Sequence, residues 1–195
     1  MTQFDPDRLL LVLVEHEVDF VVIGGIAATI HGSRYVTDDT DILFERSREN
    51  CLRLAQALAR LGAHIWSPPD AGQPTQANRR RPWQTEAIAA MHRIDPGVLG
   101  LFNIYHFVTI YGEFDCMATV PGSPPYEETR RRAGSALIGG HSVPIVDIDD
   151  LIAMKRAAGR PKDLATVDEL LELRKLIEEE ASRHDVEVDG PSSDE

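Results

Sequence analysis

Cysteine is scarce in this sequence. Its two residues, Cys51 and Cys116, stand far apart and without Cys-x-x-Cys spacing, a usage that fits reduced thiols in a cytosol and argues against a disulfide framework. Both read as small buried apolar residues. Long apolar runs are missing too. The longest near the start, Leu9 to Val14, is too short to cross a membrane, and Asp5, Asp7 and a single Arg8 precede it where a signal peptide would carry a basic region. The expectation is a cytoplasmic protein with no membrane contact. Basic charge is also in short supply. A net charge of −12 argues against a broad face for nucleic acid.

What remains is ordinary globular material: 195 residues, 43% hydrophobic and 27% charged, enough for one domain with a substantial core and a small helical appendage. The negative charge is uneven. From Glu178 onward the chain carries −7, leaving −5 for the body, so the compact clusters Arg79-Arg80-Arg81 and Arg130-Arg131-Arg132 stand out. Each is either a local attraction for a phosphate backbone or a solvated charge run. The stretch HDVEVDGPSSDE reads as a disordered acidic tail over residues 183–195, following a domain over 1–182. No internal repeat is evident.

The stretch from Phe20 to Phe44 carries the chemistry. An apolar run, Phe20 to Ile23, breaks at Gly24-Gly25, continues as a short helix over Ile26 to His31, and ends in a second strand beginning near Asp39 and Asp41. A strand repeats its side-chain direction every two residues, so Asp39 and Asp41 leave one face of the sheet. Two such carboxylates, with phosphate oxygens and water, make a shell suited to Mg²⁺. Gly24-Gly25 gives a turn without side chains, where backbone N–H groups approach phosphates closely. Ser33 and Arg34 follow, a hydroxyl and a guanidinium within reach of triphosphate oxygens; both are equally ordinary as surface residues. Alternation turns Asp38 to the opposite face. His31 reads as a helix-end residue.

Asp5-Pro6 starts a first helix, with Asp as N-cap and Pro at the first helical position. A strand over Val18 to Ile23 follows. Ser47 to Leu61 has the apolar spacing of an amphipathic helix, then a strand is expected at His64 to Trp66 and a long loop at Ser67 to Pro82, where Arg79 to Trp83 pairs basic side chains with an aromatic. Phe102 to Met117 reads as a hairpin turning at Tyr111-Gly112. In its second strand Asp115 faces away from Phe114 and Cys116, offering the third carboxylate that the site lacks; Glu113 shares its face and competes for the role. A helix over Tyr126 to Ala133, a hairpin through Gly139-Gly140, a helix over Asp150 to Ala158 capped by Asp149, and a last helix over Leu164 to Ala181 complete the chain. Lys155, Arg160 and Lys162 bring positive charge near the junction of the last two helices, Lys as a point charge and Arg able to grip two oxygens. Asp163 either caps the final helix or orients the lysine.

Gly24-Gly25-x-Ala27, His31-Gly32, Arg34 and Thr37-x-Asp39-x-Asp41 resemble the first motif of the minimal nucleotidyltransferases of the DNA polymerase β superfamily. More narrowly, they resemble the AbiEii and MenT group of toxin–antitoxin nucleotidyltransferases. Thr109-x-Tyr111-Gly112-x-x-Asp115 is similar to that family's third-carboxylate strand, and the block from Asp150 through Lys155 to Asp163 to its second characteristic motif. The resemblance implies an α/β (α+β) fold: a small mixed sheet of the polymerase-β type, helices on one side, and a C-terminal helical segment at about 149–182. It implies an enzyme that moves a nucleoside monophosphate from an NTP to an acceptor. Asp39, Asp41 and Asp115 would bind Mg²⁺ or, for Asp115, activate the acceptor hydroxyl. Gly24, Gly25, Ser33, Arg34, Lys155 and Arg160 would hold the nucleotide, with Lys155 counted among the catalytic groups. The implied role is a toxin with a cognate antitoxin protein, acting on the 3′ end of tRNA. The chain is shorter than many members, so no large extra substrate-binding domain is expected. Two alternatives stand beside this reading: transfer to a protein or small molecule, and a non-enzymatic antitoxin that keeps the fold.

Overall fold

The computed structural model describes residues 4–65 and 94–188, with side chains through 179. Asp5 accepts a hydrogen bond from the Arg8 N–H (3.1 Å) and caps helix α1 (Pro6–Glu15), as its Asp-Pro start predicts. Leu9, Leu10 and Leu13 bury one face of that helix. Strand β1 (Phe20–Ile23) follows, buried along its whole length, so both of its faces are covered. Helix α2 (Gly24–Ile30) begins immediately, and Gly24-Gly25 is its first turn rather than a loop before it. Strand β2 (Asp39–Phe44) and helix α3 (Arg48–Arg60, capped by Ser47) come next.

Strand β3 is described over His64–Ile65; Trp66, the Ser67 to Pro82 loop and the Arg79 to Arg81 cluster lie outside the described residues. A short helix α4 (Pro96–Leu99) leads to the hairpin of β4 (Ile104–Thr109) and β5 (Gly112–Met117). Helix α5 (Tyr126–Arg132) precedes a second hairpin, β6 (Gly134–Ile138) and β7 (His141–Ile145). Two helices end the chain: α6 (Ile148–Ala158) and α7 (Pro161–Val188). The cap of α6 is Asp147, whose side chain accepts from the Asp149 N–H (2.9 Å), not Asp149 itself. The final helix starts three residues earlier than its apolar pattern suggests, because Pro161 suits a first helical position, and it runs past Ala181 to Val188.

Among the described residues seven strands form one mixed sheet in the order β3-β4-β5-β2-β1-β7-β6. The pairs β2–β5 and β1–β7 are parallel and the other four antiparallel. Over β4, β5 and β2 the pleat divides cleanly. Tyr105, Phe107, Phe114, Cys116, Thr40 and Ile42 are buried in the core with Leu54 and Leu58, while His106, Val108, Glu113, Asp115, Asp39 and Asp41 face the other way and remain accessible; Leu43, further along that side of β2, is buried. Burying such side chains supplies the main favourable term in folding. Both cysteines are free and buried, and burial, with Asp115 and Asp41 adding to it, raises the Cys116 thiol well above its usual range, so it stays an apolar filler. No helix among the described residues is long and apolar enough to cross a membrane.

Candidate active site

The open face of the sheet sets acidic side chains in two adjoining rows. The β2–β5 register places Asp41 beside Asp115 and Asp39 beside Glu113, and the β4–β5 register adds His106 opposite Asp115. Parallel strands in direct register point paired residues the same way, so these side chains line one pocket. Its volume is about 350 Å³, within the range of small-molecule sites. The hairpin turns at Ile110-Tyr111, one residue before the Tyr111-Gly112 position read from the sequence. That single step brings His106, rather than Val108, opposite Asp115.

Each of the three aspartates has its own hydrogen-bond anchor from a neighbouring segment. The Thr37 hydroxyl donates to Asp39, the Gly25 backbone N–H to Asp41, and Asp115 lies 2.8 Å from His106 Nδ1. The glycines are required by this crowding. A Cβ on Gly24, whose φ is +66°, would fall 2.0 Å from Asp41 Oδ2, and one on Gly25 would fall 2.5 Å from the Thr37 Cβ. Any side chain at either position displaces the group beneath it. The Asp41 carboxyl is pushed up to about 7, first by desolvation, then by the charges of Asp39 and Asp115, against the lowering effects of the Gly25 N–H and Arg160. Like charges in one site raise a carboxyl in this way.

A basic wall faces this acidic floor. Helix α6 packs against α2, and its last turn carries Lys155, only 7% exposed. The helix ends at Gly159 in the left-handed conformation (φ +62°), a C-terminal cap that suits glycine and turns the chain so that Arg160 and Lys162 join Lys155 on the pocket lining. Asp163, 4% exposed, lies 3.5 Å from the Lys155 ammonium and accepts from Arg160 Nε. Between the two roles open to Asp163, its carboxylate serves the one of orienting the lysine. The Lys155 ammonium also sits 5.9 Å from the centre of the Tyr35 ring, a cation–π distance.

Gly24, Gly25, Asp39, Asp41, Asp115, Lys155 and Arg160, all expected at the site, share this pocket. Ser33 and Arg34 stand apart from its lining. The Ser33 hydroxyl donates to Glu169 on α7 and the Arg34 backbone N–H donates to the same carboxylate (3.0 Å), while the Arg34 side chain is exposed. These bonds fasten the segment after α2 to the last helix. Asp38 is exposed and outside the lining, and Glu113 is exposed within it. The His31 ring hydrogen bonds the Val146 carbonyl (2.8 Å), a helix-end tie. All three residues of the Arg130 to Arg132 triplet are exposed, and Arg132 is paired with Asp150 (3.1 Å). Tyr35, His106, Phe107 and Val108 are pocket residues that the sequence reading missed. Alternation along β4 sets His106 on the Ile104 and Val108 face, but only the register sets it at Asp115.

The donor set matches a hard divalent cation: carboxylate oxygens on one strand, a third on its neighbour, and a carboxyl destabilised by the other two. Among the described residues no three His, Cys, Asp or Glu side chains close into a protein-only metal cage. A cation that takes one or two carboxylates and completes its shell with phosphates and water does not need one.

No protein-family model matches the chain, and the search of curated proteins gives no match. Among solved structures, the chain is similar to the solution structure of the antibiotic-resistance factor ANT(2'')-Ia, with a TM-score of 0.48, 13% identity and 92% of each chain covered. It is similar to the crystal structure of ANT(2'')-Ia in complex with adenylyl-2''-tobramycin, with a TM-score of 0.47, 14% identity, 89% of this chain and 95% of that one covered. A nucleotidyltransferase candidate from Thermotoga maritima gives a TM-score of 0.41 at 11% identity, over 88% of this chain and 89% of its own. At these scores and identities the likeness decides neither activity nor substrate, and the functional case rests on the pocket.

Proposed function

We propose that this protein is a nucleotidyltransferase of the polymerase-β type, moving a nucleoside monophosphate from an NTP to an acceptor hydroxyl. One observation carries the reading: the aspartates on the open sheet face, Asp39 and Asp41 on β2 and Asp115 in register on β5, look across one pocket at Lys155, Arg160 and Lys162. An NTP bound with Mg²⁺ needs that division, carboxylates for the metal and cations for the phosphates. Asp39 and Asp41 would hold the cation, and Asp115 would complete its shell or take the acceptor's proton. The metal, when bound, neutralises charge that develops on the transferring phosphate. Lys155 and Arg160, both tied to Asp163, bind the triphosphate, and Gly24 and Gly25 keep the backbone low beside it. The acceptor oxygen forms a bond to the α-phosphorus, the bond from that phosphorus to the bridging oxygen breaks, and pyrophosphate leaves with the electron pair.

The narrower role follows from the resemblance of the first motif and of the Lys155 to Asp163 block: a cytoplasmic toxin acting on the tRNA 3′ end and held in check by an antitoxin protein. The experiment that decides both levels incubates the protein with each labelled NTP, Mg²⁺ and, separately, total RNA, a protein extract and a small-molecule extract. Label in RNA, absent with Asp41→Ala, is the expected result. Label in protein or in the small-molecule fraction keeps nucleotidyl transfer and overturns the tRNA role. Label equal in parent and Asp41→Ala overturns the assignment.

A further inference from the structure

His106 takes no part in the reading above, yet it lies in the row of the reacting carboxylates. Its Nδ1 is 2.8 Å from Asp115 Oδ1, the two residues face each other across the β4–β5 ladder, and both line the pocket. The other two aspartates are held from short, local groups, a backbone N–H for Asp41 and a hydroxyl two residues distant for Asp39. Asp115 is restrained from another strand, by a side chain that is 55% exposed while its own is 22% exposed. Burial does not explain a histidine there. A carboxylate is an acceptor only, so the bond fixes the proton of a neutral His106 on Nδ1.

We infer that His106 is a positioning residue for the acceptor step: its Nδ1–H occupies one oxygen of Asp115 and sets the carboxylate so that the other meets the acceptor hydroxyl. This deepens the nucleotidyl-transfer reading and rests on it. Asp39, Asp41, Lys155 and Arg160 serve the nucleotide, and His106 serves the group that attacks it. Loss of the histidine therefore lowers the transfer rate and leaves NTP binding intact. Outer-sphere partners that orient a reacting ligand commonly account for about 10- to 100-fold in function.

Two measurements test this, one independent of turnover. Ring ¹⁵N spectra at about pH 9, where an ordinary imidazole is neutral, are recorded on the whole chain, with the His106 signals identified by their loss in His106→Ala. An Nδ1–H tautomer that changes to Nε2–H in Asp115→Ala is expected. An Nε2–H tautomer in the parent, unmoved by Asp115→Ala, overturns the inference. The second measurement compares transfer into the fraction that takes label, with the binding of each NTP and Mg²⁺ by calorimetry. His106→Ala should lose about 10- to 100-fold in kcat with NTP affinity held, and His106→Asn, whose amide can donate to Asp115, should recover part of that loss. Parent-like transfer in His106→Ala, or equal loss in the Ala and Asn variants, overturns the inference. Asp41→Ala separates the two levels: if it abolishes transfer while His106→Ala keeps the parent rate, nucleotidyl transfer stands and the positioning role falls.

Discussion

Strand β5 has two faces with opposite energetics. Phe114 and Cys116 point into the core and are fully buried, where each aromatic or aliphatic group removed from water stabilises the fold. Glu113 and Asp115 point the other way and, with Asp39 and Asp41, gather carboxylates at a cost that appears in the Asp41 carboxyl, raised first by burial and then by the charges of Asp39 and Asp115. Residues adjacent in sequence thus do opposite things. The covered face makes the protein stable enough to carry an open face that works against stability. Such strain at a site is a mark of binding or chemistry.

The largest expected effect lies on the open face. Asp39→Ala or Asp41→Ala should remove nucleotidyl transfer by about three orders of magnitude, several kcal/mol of barrier, while circular dichroism and gel filtration stay as in the parent. Unfolding of either variant would break the division between the faces. On the covered face the converse holds. Phe114→Ala should lower unfolding stability by about 3–5 kcal/mol in a denaturant titration, and a loss under about 1 kcal/mol would show that the β5 core contact is not a main support.

Next comes a pH dependence that sharpens the contrast. The folded-state Asp41 carboxyl lies at about 7, above the usual range of an unfolded-chain carboxylate, so its contribution to stability is fully present below that usual range and is lost as pH rises through 7. Asp41→Asn should therefore stabilise the metal-free protein at about pH 8 by several kcal/mol and lose that advantage near pH 4. Mg²⁺ should raise the Tm of the parent at the higher pH and leave the Asn variant almost unmoved. A variant with the same Tm profile as the parent, or destabilised at the higher pH, would contradict the repulsion account. The smallest effect is expected at the basic wall. Lys155→Ala should weaken NTP binding by about tenfold, roughly 1.4 kcal/mol, as read by calorimetry; unchanged affinity would leave Lys155 a partner of Asp163 alone.

Much of this arrangement was legible in the sequence because it depends on short-range rules. A period of two put Asp39 and Asp41 on one face and turned Asp115 away from Phe114; Asp5-Pro6 marked the start of α1; and Ser47 with its apolar spacing marked α3. Boundaries were less legible where two signals overlapped. Asp147 and Asp149 are both good caps, and only the turn geometry chooses Asp147. Gly24-Gly25 reads as a loop by propensity, yet α2 starts there: Gly24 enters it with a positive φ, and Asp41 and Thr37 fill the space that side chains would take.

By itself, then, the sequence determined which residues could share a strand face, which helices had an apolar side, and which side chains could bind a metal or a phosphate, since these follow from backbone period and chemical type. Tertiary structure alone decided which of them meet. Parallel pairing of β2 with β5 set Asp41 beside Asp115, the one-residue position of the β4–β5 turn set His106 at that pair, and the left-handed end of α6 brought Arg160 and Lys162 to Lys155. Ser33 and Arg34, close in sequence to the carboxylates, were drawn instead to Glu169, because a helix 135 residues further on offers their donors a carboxylate. Register and long-range pairing depend on the whole sheet closing at once, and no local window of the chain carries that information.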